Sequence, residues 1–244
     1  MFGILNVNKS KGFTSHDVVA KLRKILNIKQ VGHTGTLDPI ATGVLPVCVG
    51  KATKVIQYLE DSKAYRTNIR LGVKTNTYDA EGEILEEVPV TLDIEKIKEC
   101  LKTFQGTIKQ KPPMFSAVHY KGKRLYEYAR KNIEIEDIPE RTVTINSIEL
   151  IDVLEQDTEN PLLVVDIDCS SGTYIRSIIS DLGDMLGYGA SMEGLIRTRA
   201  GSFKITDSYT IDKIQEIVEH GNISEILINP LDMVDLTIFP VNEY

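Results

Sequence analysis

The sequence predicts an α+β fold, with a mixed, largely antiparallel central sheet and flanking helices. Three observations carry this. Strand and helix signals alternate irregularly along the chain, without the strict strand–helix–strand order of a doubly wound parallel sheet. Two long β-rich runs, "RTVTINSIELIDVLE" and "PLLVVDIDCS", flank the turn "DTENP" and read as an antiparallel hairpin. No repeat, low-complexity tract or linker interrupts the 244 residues.

The elements follow in order. "FGILNV" is an opening strand, and "TSHDVVAKLRKILN" a helix with Thr14 or Ser15 as N-cap and Val18, Val19, Leu22, Ile25 and Leu26 on one face. The Gly- and Thr-rich loop "GHTGTLDPIATG" runs into "VLPVCVG", a short buried strand. "ATKVIQYLED" reads as a helix and "AYRTNIRLGV" alternates as a strand. "TNTYDAEG" has the Asn, Asp and Gly of a turn before the strand "EILEEV". "DIEKIKECLKTFQG" is an amphipathic helix ending at glycine, and "RLYEYARK" a shorter one between basic loops. After the long hairpin, "GTYIRSIISDLGDMLG" returns to helix, and the tail holds two short ones.

Composition narrows the function classes. Hydrophobic residues make up 42% and charged residues 26%, ordinary for a globular protein, and no apolar run approaches the roughly 20 residues needed to cross a bilayer. The start "MFGILNVNKSKG" shows no secretory signal. Cys48, Cys100 and Cys169 lie far apart, which argues for a reducing cytoplasm and against a disulfide framework or a zinc site. The four histidines are equally scattered, so no metal centre is expected. Net charge is −7, yet residues 1–78 carry +8 and 109–131 carry +6, against −10 over 132–168 and −7 over 205–244. Such segregation is expected when one face meets phosphates.

Three places could carry chemistry. The first is the loop with His33 and Asp38 among Gly32, Gly35 and Gly43; its spacing fits neither common phosphate-binding glycine motif. Asp before Pro is also ordinary turn chemistry, and Asp38 could simply cap a short helix starting at Pro39. The second is "GTYIRS", where Arg176 falls in the first turn of a helix, against the macrodipole, and there seeks a carboxylate or phosphate. A structural salt bridge is the plain alternative. The third is Tyr65, flanked by Lys63 and Arg66 as on surfaces that stack a base and hold its backbone, or else an ordinary strand aromatic.

Five ordered segments resemble the bacterial tRNA pseudouridine synthase B (TruB) family. "GHTGTLDPIATGVLP" is similar to its catalytic-loop signature and "NKSKGFTSHDVV" to its N-terminal DKPxGxTSxD motif. "KAYRTNIRLGVKTNTYDAEGE", "QKPPMFSAVHYKGKRLYEYAR" and "CSSGTYIRSIISDLGDMLGYGASMEGLIRTRAGSF" resemble its later motifs, and the likeness covers nearly all of residues 1–240. The resemblance implies the pseudouridine synthase fold and a catalytic domain over 1–240. Members usually continue into a small RNA-binding PUA domain; this chain stops at "LDMVDLTIFPVNEY", so that domain is expected to be absent.

The resemblance also implies roles. Asp38 matches the catalytic nucleophile, Arg176 the arginine that pairs with it, and Tyr65 the tyrosine that stacks on the target base. Tyr174 and Leu195 match the walls of that pocket, His33 a residue that holds the opened RNA loop, and Lys9 a basic residue of largely structural role. Asn8, Ser10, Asn76, His119, Ser171 and Ile196 depart from the family pattern, the last three with loss of positive charge. The implied function is conversion of uridine 55 in the T arm of tRNA, after base flipping, by a cytoplasmic monomer with no cofactor, metal or membrane. The alternatives are a tRNA-binding folding chaperone with incidental catalysis, and an enzyme acting on a small phosphorylated nucleoside. A single acid where glycosidases use a pair weighs against the latter.

Overall fold

The computed structural model describes residues 1–133, 135 and 137–233. In chain order it has β1 (Gly3–Lys9), α1 (Ser15–Leu26), β2 (Val31–His33), β3 (Thr42–Val49), a 3-10 helix (Gly50–Tyr58) and β4 (Lys63–Leu71). Then come β5 (Val73–Thr75), β6 (Ile84–Glu87), α2 (Ile94–Thr103), β7 (Gly106–Gln110), β8 (His119–Tyr120), β9 (Lys123–Arg124) and α3 (Leu125–Ala129). The chain continues with β10 (Arg141–Leu154), β11 (Leu162–Cys169), α4 (Ile175–Leu186), β12 (Ala190–Ala200), β13 (Phe203–Lys204) and α5 (Ile211–Glu219). The mixed, mostly antiparallel architecture is the one the sequence predicts. The last part of the expected domain, 234–240, lies outside the described residues.

Two compact units form: Met1–Ala64 with the chain from Ile196 onward, and Tyr65–Leu195. In the first, β1 pairs antiparallel with β3 from Gly3 opposite Val49 to Lys9 opposite Gly43. On the other side of β3, β2 occupies one end (Val31 opposite Val49) and the end of β12 the other, in parallel (Ile196 opposite Thr42). Ile4, Val44, Cys48, Ala52, Ala200 and Phe203 form a core cluster. Helix α1 starts at a capping box: Thr14 Oγ1 accepts from the Asp17 N–H at 3.0 Å and Asp17 Oδ2 accepts from the Thr14 N–H at 2.9 Å. Its buried face is Val18, Val19, Leu22 and Leu26.

In the second unit the strand order is β12–β4–β11–β10–β7. The hairpin read from "DTENP" is β10–β11, with register shifts between Ile145 and Ser147 and between Leu150 and Asp152. Along β4 alternate residues are buried, putting Tyr65, Thr67, Ile69 and Leu71 on one face. The predicted helix "ATKVIQYLED" is a 3-10 helix. Strands β7 and β12, which the sequence reading did not mark, are full members of the sheet. No described helix is long and apolar enough to cross a membrane.

Candidate active site

In the first unit, Asp38 is half-buried in the segment between β2 and β3. Its carbonyl accepts from the Ala41 N–H at 3.0 Å, so Pro39 and Ile40 form a turn and no helix follows for Asp38 to cap. The backbone on both sides of the carboxylate is held by buried side chains. Before it, the Leu37 N–H donates to Ser15 Oγ at 2.9 Å and that hydroxyl approaches the Leu37 carbonyl at 3.3 Å. Thr14 caps α1, which leaves the Ser15 hydroxyl available for this contact. After it, the Lys9 ammonium donates to the carbonyls of Phe13 (2.7 Å), Ser10 (3.1 Å) and Pro39 (3.4 Å). Lys9 is fully buried.

Arg197, 1% exposed, completes the clamp. Its guanidinium donates to the carbonyls of Val44 (2.6 Å), Gly35 (3.1 Å) and Thr36 (3.3 Å). Arg197 sits directly after Ile196, one of the positions where the chain departs from the family pattern with loss of positive charge. Gly43 is required here, because at its φ of +98° a Cβ would lie 2.3 Å from the Arg197 carbonyl oxygen.

His33 ends β2, its ring edge-on to His16 with centroids 5.4 Å apart. Its Nδ1 is buried without a hydrogen-bond partner among the described residues. Burial, and then the neighbouring His16 and Arg197, hold the His33 imidazole below the usual histidine range.

The second unit carries the remaining candidates. Tyr174 is the N-cap of α4, and Arg176 lies in the first turn, 6% exposed. The buried Gln110 at the end of β7 closes both backbone groups of Tyr174: its Oε1 accepts from the N–H at 2.8 Å and its Nε2 donates to the carbonyl at 2.9 Å. Ser177 Oγ donates to the Lys111 carbonyl at 2.9 Å. Arg176 donates to the carbonyls of Phe115 (3.0 Å) and Thr77 (3.2 Å), and its guanidinium lies 3.5 Å from the buried Asp79 carboxylate. Asp79 in turn accepts from Thr77 Oγ1 at 2.6 Å and the Glu81 N–H at 3.1 Å. The stretch read as an ordinary turn, "TNTYDAEG", therefore supplies a carboxylate and a carbonyl to Arg176.

Tyr65 and Leu195 are each 8% exposed, on β4 and β12. The two cations flanking Tyr65 in sequence are both paired: Lys63 with Asp61, and Arg66 with Asp166 through two bonds of 2.7 and 2.6 Å. Lys9, His33 and Asp38 thus belong to the first unit, and Tyr65, Tyr174, Arg176 and Leu195 to the second. Sequence reasoning missed Ser15, Arg197, Gln110 and Asp79. All four lie inside quoted motifs, but each has a partner distant in the chain: Leu37 for Ser15, the Val44 carbonyl for Arg197, Tyr174 for Gln110 and Arg176 for Asp79.

A mixed, largely antiparallel sheet bearing a clamped carboxylate loop defines the class, and solved structures agree. A chain of a Cbf5–Nop10–Gar1 complex matches 94% of this chain at 32% identity with a TM-score of 0.71. One of an H/ACA RNP bound to a substrate RNA containing 2′-deoxyuridine matches at 30% with 0.69. This chain spans about 60% of the first and 59% of the second. The fold is that of the pseudouridine synthases. Residues 23–175 match the model of the TruB family pseudouridylate synthase (N terminal domain), and 176–240 that of the tRNA pseudouridylate synthase B C-terminal domain. Proteins called tRNA pseudouridine synthase B are 48% identical over 233 residues in Alkaliphilus oremlandii (95% of this chain, 75% of that protein) and 49% over 222 in Nostoc (91% and 75%). The chain belongs to the TruB family of pseudouridylate synthases.

Proposed function

We propose that this chain isomerises uridine to pseudouridine in tRNA, at uridine 55 of the T arm, as a cytoplasmic monomer. Family membership and the names of its relatives support the reaction class. The observation that carries the reading is the setting of Asp38: a single carboxylate with the backbone before and after it fastened by Ser15, Lys9 and Arg197. Isomerisation breaks the C1′–N1 bond and forms C1′–C5, while the C5 hydrogen leaves as a proton and N1 takes one up. A fixed nucleophile and a held base are enough for this, since no redox change occurs.

Asp38 is the nucleophile, and Arg176 the cation that the family sets against that carboxylate. Flipping the target base out of its stack costs a few kcal/mol, of which stacking on Tyr65 returns about 1–3 kcal/mol. Tyr174 and Leu195 bound the base, and His33 holds the opened RNA loop.

Tritium release from tRNA labelled at uracil C5 tests this directly. Release by the wild type and none by Asp38→Asn, with tRNA binding kept, is the expected result. No release by a wild-type chain that binds tRNA would leave assistance of RNA folding as the function.

A further inference from the structure

The far end of β3 carries a charged face that the clamped loop does not use. Arg23 on α1, Lys29 in the turn before β2, and Lys51 and Lys54 on the 3-10 helix are all exposed. The elements bearing them are tied together: Arg23 donates to the Val31 carbonyl at 3.0 Å, the Gly50 N–H to the Gln30 carbonyl at 2.8 Å, and Gln30 Nε2 to Thr53 Oγ1 at 2.7 Å. Lys51 and Lys54 are three apart on a 3-10 helix, where such side chains stand in one row.

Among the described residues no acid pairs with this face. Between residues 18 and 59 the only carboxylate is Asp38. The next acids along the chain are engaged elsewhere, Glu60 near Arg199 at 3.8 Å and Asp61 with Lys63. The side chains of Lys29, Lys51 and Lys54 make no ion pair or hydrogen bond with the described residues. Lys21 and Lys24 of the same helix differ, because they line a groove with Asp212 and Glu219 of α5. Four clustered cations repel one another and persist at a surface most readily when a polyanion screens them.

Geometry selects which polyanion segment. β3 runs from Thr42, beside the Asp38 loop, to Val49, where the 3-10 helix begins, and eight residues of strand span roughly 23 Å. We propose that Arg23, Lys29, Lys51 and Lys54 form a second RNA-binding face that grips the sugar–phosphate backbone of tRNA outside the T arm. This rests on the tRNA reading above. Contacts of this kind carry no sequence information; they add affinity and orient the substrate.

The test compares the wild type with Lys29→Gln/Lys51→Gln/Lys54→Gln, using whole tRNA and an isolated T-arm hairpin. Arg23 is left in place because it ties β2. The variant should bind whole tRNA roughly tenfold or more weakly at low salt, with the slope of log affinity against log salt shallower by about 2–3. Binding and tritium release on the hairpin should be unchanged. Unchanged affinity for whole tRNA, or an equal loss on the hairpin, overturns the proposal. So does an equal loss with Lys98→Gln/Lys102→Gln, exposed lysines of α2, since the effect would then be bulk charge. Failure of the wild type to release tritium from either RNA sinks the enzymatic reading instead, and the binding arms still decide this one.

Discussion

Three side chains remote in sequence decide how Asp38 is presented, and Ser15 is the cleanest to remove. Replacing it with alanine leaves the buried Leu37 N–H without a partner, at a cost of about 1–3 kcal/mol. Because the loss falls on the residue next to Asp38, the proposed nucleophile, Ser15→Ala should lower the rate of isomerisation several-fold and change tRNA affinity little. Single-turnover kinetics beside a urea melt checks this; a rate equal to wild type would show that the loop keeps its shape without the bond. Asp38 stands out in the sequence because its motif is local. Ser15 was read only as a possible helix cap, since the partner that gives it another task lies 22 residues away. Arg197 was hidden similarly: its three carbonyl partners lie more than 150 positions earlier.

Elements formed where local pattern and burial agree. Helix α1 has its cap and apolar stripe, and β10–β11 has its turn; both were readable. β12 was not, because Gly194, Arg197 and Arg199 break the apolar alternation, and its place in the sheet is set by neighbours remote in sequence. The 3-10 helix after β3 has a helical apolar period but tighter winding, which periodicity does not distinguish. The start of α4 likewise takes its cap from Gln110, 64 residues away, and not from a side chain at the N-cap. Gln110→Leu should therefore destabilise the protein by about 1–3 kcal/mol. The damage should be local: amide hydrogen exchange in the first turn of α4 should speed up, while α5 keeps wild-type protection. Uniform loss of protection in both helices would refute a capping role.

Over the whole molecule, net charge and local burial oppose each other as pH falls. With a net charge of −7 at pH 7 and a sequence pI near 5.2, mild acidification relieves self-repulsion and should stabilise the fold. His33 acts in the other direction. Its folded-state value lies below the ordinary 6.5, from burial first, so the unfolded chain takes up a proton before the native one does. The stability it lends is complete above that ordinary value and is lost as pH falls through the folded one. Asp17, lowered by its bonds with Thr14, follows the same sign from the ordinary 3.8 downward. Acid loss should thus come in two stages. As pH falls below the ordinary 6.5 the wild type should melt progressively earlier than His33→Gln, relative to each protein's own value at neutral pH and against the trend set by net charge. Below about pH 4 the Asp17 stage should appear in both. Calorimetric melts across this range decide it: parallel curves for the two proteins would mean that the His33 ring finds a proton acceptor or water in the native state that offsets its burial.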